Sequence, residues 1–282
     1  MTPARDFYLG VHRPSWMPLT DVPLFVSAVT LRRRRRTPKV KGRWALDSGG
    51  FSQLQVHGAW TGSDNVYAAE VNAWEGQAGM PCDFAACRDM MCEPFMLAKT
   101  GLTIRDHQLW TIDSYMNLCA LAPWIAWLPV IQGWHVDNYR AHVEMYREAG
   151  VELRELARVG VGSICRRQAT REGAEIIVAM AGLGIRVHAF GVKVEGLKLF
   201  GHRIASADSM AWSFVARRRR LLLETCIGKG HANCANCFTW AHEWHRTRIL
   251  GEPNRVREIC AAARGASRSD ARRLESPDLR PA

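Results

Sequence analysis

Three cysteines and a histidine near the carboxyl end of the chain have the spacing of metal ligands. Cys226, His231, Cys234 and Cys237 form the pattern C-x4-H-x2-C-x2-C. Zinc in structural sites takes four sulfur or nitrogen ligands, and an x2 spacing lets one turn supply two of them. The pattern therefore predicts a zinc site within residues 226–237.

Two later histidines, His242 and His245, are alternative fourth ligands if Cys226 lies too far from the others. The chain has nine cysteines, an odd number, and a metal site with free thiols fits that count better than a set of disulfides. Four protein ligands leave no open coordination position for a substrate. We therefore predict a structural zinc rather than a catalytic one.

Three aspartates stand at the ends of apolar segments that resemble strands. Asp47, Asp89 and Asp208 each end such a segment. A carboxylate in that position loses hydration energy, so it usually has a partner or a function. Carboxylates brought together can serve as nucleophile and as general acid or base. We expect a functional site where these strand ends meet. Asp83 is a rival for the role of Asp89, but it falls before the strand rather than at its carboxyl end.

The elements that must position these residues alternate between strand and helix. The eight predicted strands are 7–11, 24–30, 43–47, 84–89, 127–132, 158–162, 186–191 and 204–208. Most are continuous apolar runs, which is typical of parallel strands buried on both faces. The predicted helices between the later strands begin at Ser63, Thr103, Asp137 and Thr170. This alternation predicts an α/β fold, a (β/α)8 TIM-type barrel with a zinc-binding insertion after the eighth strand.

Composition bounds the domain organisation and the partners. A chain of 282 residues with 48% apolar content suits a single catalytic barrel domain, which we place at residues 1–263. Residues 264–282, rich in Arg, Ser, Asp and Pro, are predicted to be a disordered basic tail. Neither an apolar span nor a signal-peptide core is present, so a cytoplasmic protein without a membrane partner is expected. The net charge of +11 favours a polyanionic partner.

Two arginine runs, 32–36 and 217–220, follow the second and eighth predicted strands. Loops beyond the carboxyl ends of strands form the active face of a barrel, so both runs are predicted to contact phosphates. The alternative is that each run is a solvated charge cluster. The candidate nucleic-acid-binding residues are Arg32, Arg33, Arg34, Arg217 and Arg218.

The string Asp47-Ser48-Gly49-Gly50-Phe51 resembles the D-S-G-G-F signature of tRNA-guanine transglycosylases, which are zinc-bearing barrels. Further matches follow in the same order, at Val130-Ile131-Gln132-Gly133, Val161-Gly162 and Ala207-Asp208-Ser209. The closer resemblance is to the DNA 7-deazaguanine transglycosylases of phages and bacteria, the DpdA family. It covers roughly residues 10–246 and runs through 44–51, 91–94, 132–134, 160–167, 190–193, 205–212 and 231–237.

This resemblance implies an enzyme that exchanges guanine in DNA for a 7-deazaguanine base. Asp208 would attack C1′ of the target nucleotide and form a covalent sugar ester. Asp47 would act as general acid for the leaving base and then as general base for the incoming one. The target base must first leave the helical stack. The residues implied to bind the purine are Asp89, Gln132, Gly133, Gly162, Ser48 and Gly49.

One departure bears on the incoming base. Residues 162–167 contain no carboxylate, whereas the tRNA enzymes that use an aminomethyl base have a glutamate there. A neutral base, 7-cyano-7-deazaguanine, therefore fits better. Two other functions are retained as alternatives: a tRNA-guanine transglycosylase, and a non-catalytic zinc protein that binds nucleic acid. The presence of both Asp47 and Asp208 argues against the second, and the sequence leaves open whether a partner protein opens the duplex.

Overall fold

The first part of the chain is built around one parallel sheet. A computed structural model describes residues 6–167 and 169–260, and the chain divides after residue 211 into two compact units, here called the barrel unit (1–211) and the second unit (212–282). The strands of the barrel unit are β1 Asp6–Val11, β2 Leu24–Ser27, β3 Trp44–Asp47, β4 Ala85–Ala86, β5 Trp127–Leu128, β6 Val130–Ile131, β7 Val159–Val161, β8 Val187–Ala189 and β9 Ser206–Ser209.

These nine strands pair in the order β5-β4-β3-β2-β1-β9-β8-β7-β6, with every pairing parallel. The two edge strands, β5 and β6, are consecutive in the chain and are separated only by Pro129. Proline has no N–H to give to a strand ladder, but its carbonyl still accepts the Gly160 N–H at 2.8 Å. One interrupted strand thus joins β4 to β7, and the sheet returns to its own start as an eight-membered barrel. The predicted fold is confirmed.

All eight predicted strands occur, but several are shorter than predicted. The fourth, predicted over 84–89, is regular only at Ala85–Ala86, and the eighth lies at Ser206–Ser209. The register aligns the carboxyl ends, because Asp47 lies opposite Ser27, the last residue of β2, and Ala207, next to Asp208, lies opposite Ala189, the last residue of β8. Side chains at these ends therefore meet on one rim of the barrel.

Helices follow most strands of the barrel unit. They are α1 Ala28–Arg32, α2 Gly50–His57, α3 Asp64–Ala78, α4 Pro94–Thr100, α5 Ile104–Leu121, α6 Val136–Glu148, α7 Arg171–Gly182 and α8 Val194–Phe200. Three predicted starts are confirmed, because Ser63, Thr103 and Thr170 each accept a backbone N–H of the first turn. The first two connections are less regular and contain a 3-10 helix, Pro14–Leu19, and the short α1.

The predicted start of α6 at Asp137 is late. The side-chain oxygen of Asn138 accepts the N–H of His135 at 2.9 Å. His135 therefore becomes the N-cap, and the helix begins at Val136. Asp137 falls in the first turn, where its negative charge suits the positive end of the helix dipole.

The interior of the barrel is filled at the amino ends of the strands. Tyr8, Phe25 and Phe84 are buried there in one apolar cluster. Beside them the hydroxyl of Tyr8 donates to Asp83 Oδ2 at 2.6 Å, and Arg43 bridges Asp83 and Asp6 at 2.7 and 2.9 Å. Because Asp83 belongs to this ion-pair network at the amino ends of the strands, it does not lie with Asp89 at the carboxyl ends.

The second unit is small and contains its own two-stranded antiparallel sheet. After α9, Ala211–Arg218, the strands β10 Leu221–Leu223 and β11 Glu258–Cys260 pair antiparallel. This unit also contains α10, Phe238–Trp244, which continues as a π-helix, His245–Ile249. The predicted tail, 264–282, lies outside the described residues, and the predicted single domain over 1–263 stays a prediction. Within the described residues, no helix has the length and apolar content needed to cross a membrane.

Candidate active site

A cavity in the barrel unit opens at the carboxyl ends of the strands. Four carboxylates line it, those of Asp47, Asp89, Glu93 and Asp208. Among the described residues, no lysine or arginine faces this cavity. Such a cavity suits a ligand that offers N–H donors and carries no negative charge. The apolar part of the wall includes Phe25, Phe51, Met91, Phe190 and Met210.

Asp208 is buried at the end of β9 and is held from the neighbouring strand. Its Oδ1 accepts the Gly191 N–H at 3.0 Å and lies 3.5 Å from Nε2 of His188. His188 in β8 is fully buried, and burial lowers its pKa below the usual histidine value. Its Nδ1 lies 2.8 Å from the Ser206 hydroxyl. The ring of His188 thus lies beside Asp208, held at Nδ1 by the Ser206 hydroxyl and with Nε2 directed at the carboxylate.

Asp47 ends β3, and the turn that follows it wraps around its carboxylate. The Gly49 N–H donates to Oδ1 at 3.1 Å. Burial raises the pKa of Asp47, and the nearby negative charge of Asp208 raises it further. Gly49 has φ +80°, and a Cβ there would lie 2.5 Å from the side chain of Val29. The turn that supplies the N–H therefore requires glycine.

Asp89 is joined to Gln132 and Ser163 in a buried chain of hydrogen bonds. The Gln132 amide donates to Asp89 Oδ2, and its Oε1 accepts from the Ser163 hydroxyl at 2.6 Å. The Ser48 hydroxyl donates to Asp89 Oδ1 at 3.4 Å. Burial, and secondly the charge of Asp47, raise the pKa of Asp89 to about 7. Near neutral pH this group can therefore either accept or donate a hydrogen bond.

Glu93 continues the chain on the other side of Ser163. The Ser163 Oγ accepts the Cys92 N–H at 2.7 Å and lies 3.1 Å from Glu93 Oε2. One hydroxyl hydrogen can serve only one of two acceptors, and the distance to Gln132 is the shorter. Ser163 itself has φ +54°, a conformation that is uncommon outside glycine.

The predicted purine-binding residues fall into two groups. Asp89 and Gly162 line the cavity. The others, Gln132, Gly133, Ser48 and Gly49, are not among the described residues that line it. Gln132 and Ser48 bond Asp89, and Gly49 bonds Asp47. Gln132 is fully buried under Gly162, where a Cβ would come within 2.2 Å of its Nε2.

Three contributors were not predicted from the sequence. Glu93 belongs to a matching motif, but its place in the cavity depends on α4, which begins at the next residue. Ser163 becomes visible only through its backbone conformation. A signal did exist for His188, because a lone histidine between valine and alanine in a buried strand must find polar partners.

The raised pKa of Asp89 predicts a pH-dependent stability. An unfolded aspartate has a pKa of about 4, so the folded state, at about 7, binds this proton more tightly. Stability from this group is complete below the unfolded pKa and is lost as the pH rises through 7. Asp89→Asn should therefore reduce the fall in melting temperature between pH 5 and 8. Equal falls in both proteins would contradict this assignment.

The predicted metal ligands come together in the second unit. Ligand atoms of Cys226, His231, Cys234 and Cys237 all lie within 4.8 Å of one another. The Sγ atoms of Cys226 and Cys237 are 3.6 Å apart, near the separation that two zinc-bound thiolates have in a tetrahedral site. A hydrogen bond from the Cys234 thiol lowers the pKa of Cys237 below the usual cysteine value. The four residues could hold a metal ion.

The two alternative ligands are outside this cluster. The ring of His242 packs on Phe238, and its Nδ1 lies 3.0 Å from the carbonyl of that residue. His245 is buried in the π-helix. Cys226 is therefore the fourth candidate ligand, as the C-x4-H-x2-C-x2-C pattern predicts.

The arginines of the two runs differ in whether their side chains already have a partner. Arg32 ends α1 and donates from Nε and Nη2 to Glu70, at 2.7 to 3.0 Å, so its guanidinium already has a partner. Arg33 and Arg34 are exposed. Arg217 and Arg218 end α9 in the second unit and are also exposed, within a helix rather than in the predicted loop. Phosphate contact by these residues stays a prediction.

Comparison with known proteins identifies a family whose model matches this chain. A family model described as DpdA, DeoxyPurine in DNA protein A, matches residues 4–276. Among solved structures, a crystal structure of a candidate isomerase from Sinorhizobium meliloti, in an open-loop conformation, is similar at 13% identity and a TM-score of 0.41. That alignment covers 79% of this chain and 55% of the other, so this chain spans little more than half of the other's length. No curated protein matches.

Proposed function

This chain belongs to the DpdA family, and we propose that it exchanges guanine in DNA for a 7-deazaguanine base through a covalent bond between the sugar and Asp208. The family is one of DNA guanine transglycosylases, so the chain is a pentosyltransferase. Membership of an enzyme family argues against the non-catalytic alternative, and a family defined on DNA argues against tRNA. One observation supports the proposed chemistry best: Asp208 and Asp47 face one cavity from different strands.

In the proposed first half-reaction, an oxygen of Asp208 attacks C1′ of the target deoxyguanosine. The C1′–N9 bond breaks, and guanine leaves with a proton supplied by Asp47, whose raised pKa helps it to keep that proton. In the second half-reaction, N9 of the incoming base attacks C1′ and gives its proton to Asp47. The bond to Asp208 breaks, and the carboxylate is restored. The Gly191 N–H and His188 hold Asp208 in place throughout.

A base-exchange assay tests this function directly. Labelled guanine is offered with single-stranded DNA, duplex DNA or tRNA. We expect incorporation into DNA and none into tRNA. Incorporation into tRNA alone would overturn the proposal, and the comparison of single-stranded with duplex DNA shows whether a partner must open the helix.

For the incoming base we propose 7-cyano-7-deazaguanine, with Glu93 as the group that tests this choice. The sequence argument assumed no carboxylate near the glycine turn, yet Glu93 lies there, with Ser163 beside one of its oxygens. The wild-type enzyme should use the cyano base in preference to the aminomethyl base, and Glu93→Gln should preserve that order. A preference for the aminomethyl base that Glu93→Gln abolishes would make Glu93 a cation-binding residue instead.

We propose that the metal held by Cys226, His231, Cys234 and Cys237 is a structural zinc ion. The support is a closed set of three sulfurs and one nitrogen. When bound, zinc supplies folding free energy by fixing the segment between β10 and α10. No step of the exchange involves it.

Removal of the metal is expected to destabilise the protein. The purified protein should carry one zinc ion per chain, and Cys234→Ala should lose it and lower the melting temperature. His242→Ala, a matched control outside the cluster, should keep the metal. Metal content is measured by elemental analysis beside thermal melting. A metal-free protein with unchanged melting temperature and no turnover would mean that the zinc is catalytic.

The exposed arginines after α1 are proposed to contact DNA phosphates. The double variant Arg33→Gln with Arg34→Gln should weaken DNA binding and reduce the slope of log K against log salt, by about one per lost contact. A matched control removes two exposed arginines from α6 and the loop after it, Arg147 and Arg154. Equal salt slopes in the variant and the control would support the alternative, that this arginine run is a solvated charge cluster.

A further inference from the structure

Three side chains form an aromatic and cationic cluster at the edge of the candidate active site. Phe51 of α2 and Phe95 of α4 pack edge to face, with ring centroids 6.3 Å apart. The guanidinium carbon of Arg166 lies 4.9 Å from the first ring centre and 4.7 Å from the second. We refer to these three residues as the rim cluster.

Each of the three chain segments that carry the rim cluster also contributes a residue to the wall of the cavity. Phe51 itself lines the cavity. Phe95 follows the cavity residue Glu93 by two positions, and Arg166 follows the cavity residue Cys165 directly. A ligand that extends out of the cavity beside Phe51 therefore meets Phe95 and Arg166 next.

The rim cluster is exposed to solvent on one side and packs against buried side chains on the other. Phe95 is 42% exposed, and Arg166 is exposed as well. Phe51 packs below against a buried cluster that contains Leu54 and Met96. A large ring held on a packed support and exposed to water is typical of a binding surface rather than of a core.

The charge of Arg166 is available to a ligand. Within the described parts of the chain, no ion pair involves Arg166, and its contacts are those with the two rings. Its neighbour Arg167 differs, because it lies 3.8 Å from the ring centre of Trp134 and donates to the carbonyl of that residue. Of these two consecutive arginines, one is fixed within the fold and the other faces outwards.

We propose that the rim cluster is the subsite for the nucleotide next to the target in an unpaired DNA strand. Aromatic rings and guanidinium planes are the surfaces on which unstacked bases pack, whatever their identity. The free positive charge of Arg166 complements the phosphate that links this nucleotide to the one in the cavity. This inference rests on the proposed function, since it assumes that a DNA base occupies the cavity.

Phe95→Ala tests the rim cluster through the oligonucleotide alone. With single-stranded DNA as substrate, KM should rise roughly tenfold, within the range measured when a stacking aromatic is removed, while kcat and the KM for free guanine stay near wild type. Phe95→Trp should restore the oligonucleotide KM. Trp124→Ala, which removes an exposed ring ahead of the amino end of β5, is the matched control and should change neither constant.

A second experiment removes the DNA base that would stack on the rim cluster, instead of the aromatic ring of Phe95. An oligonucleotide with an abasic site beside the target guanine should raise the wild-type KM by a similar factor, and Phe95→Ala should show little further loss with it. If Phe95→Ala has a wild-type KM, or if the two losses multiply, the rim cluster is not this subsite. If the wild-type protein exchanges no base in DNA, the proposed function fails. Fluorescence anisotropy of the same oligonucleotides then tests the rim cluster separately.

Discussion

Asp208→Asn should abolish base exchange and leave the fold intact. Asparagine has the shape of aspartate, so the contacts with Gly191 and His188 retain an oxygen acceptor. A neutral amide is a far weaker nucleophile than a carboxylate, and loss of a covalent nucleophile lowers kcat by roughly 10^4-fold or more. The initial rate with labelled guanine measures the loss, and an unchanged melting temperature shows that the variant is folded.

The same variant separates covalent catalysis from a role in binding. Wild-type protein denatured during turnover should carry a deoxyribose-linked DNA adduct on the peptide that contains Asp208, and mass spectrometry should find none on the variant. Exchange at a near-wild-type rate by Asp208→Asn would refute the nucleophile assignment, whatever adduct is found.

Asp47→Ala should have the second largest effect, a loss in kcat of roughly a hundredfold or more, the usual contribution of a positioned acid–base group. The reason lies in its environment, since burial and the charge of Asp208 favour its protonated form. The rate must be measured at saturating DNA and base. If kcat is preserved there and only KM rises, Asp47 is a binding residue.

The pH dependence of the rate distinguishes the two roles further. An acid that must be protonated loses activity as the pH rises through its pKa, and the structure places that pKa above the ordinary aspartate value. The alkaline decline that Asp47 causes should be missing from the residual activity of Asp47→Ala. Asp89 also has a raised pKa, so Asp89→Asn is the matched control that identifies which carboxyl produces the decline.

The fold and the two principal carboxylates were predictable because they depend on local patterns. Short apolar runs predict buried parallel strands, and parallel strands bring their carboxyl ends together, which places Asp47 and Asp208 at one cavity. The metal cluster was predictable for a similar reason, since its ligands lie within twelve residues, 226–237, of one another.

What could not be predicted depends on contacts between distant segments. Arg32 looked free in the sequence, but its partner Glu70 lies on α3. Glu93 reaches the cavity beside Ser163, which is seventy residues away in the chain. The short fourth strand is a further case, because Arg88 leaves the ladder to bind Asp64 and the Gly62 carbonyl. Residue patterns do not encode such pairings until the fold is known.

The filled amino end of the barrel has a kinetic consequence. Tyr8, Phe25 and Phe84, together with the ion pairs of Arg43, occupy the space below the cavity, so the proposed base exchange must take place through the rim alone. With a covalent intermediate, guanine must then depart before its replacement can arrive. Double-reciprocal plots for DNA and incoming base should accordingly run parallel, and guanine should compete with the incoming base for the sugar-bound form of the enzyme.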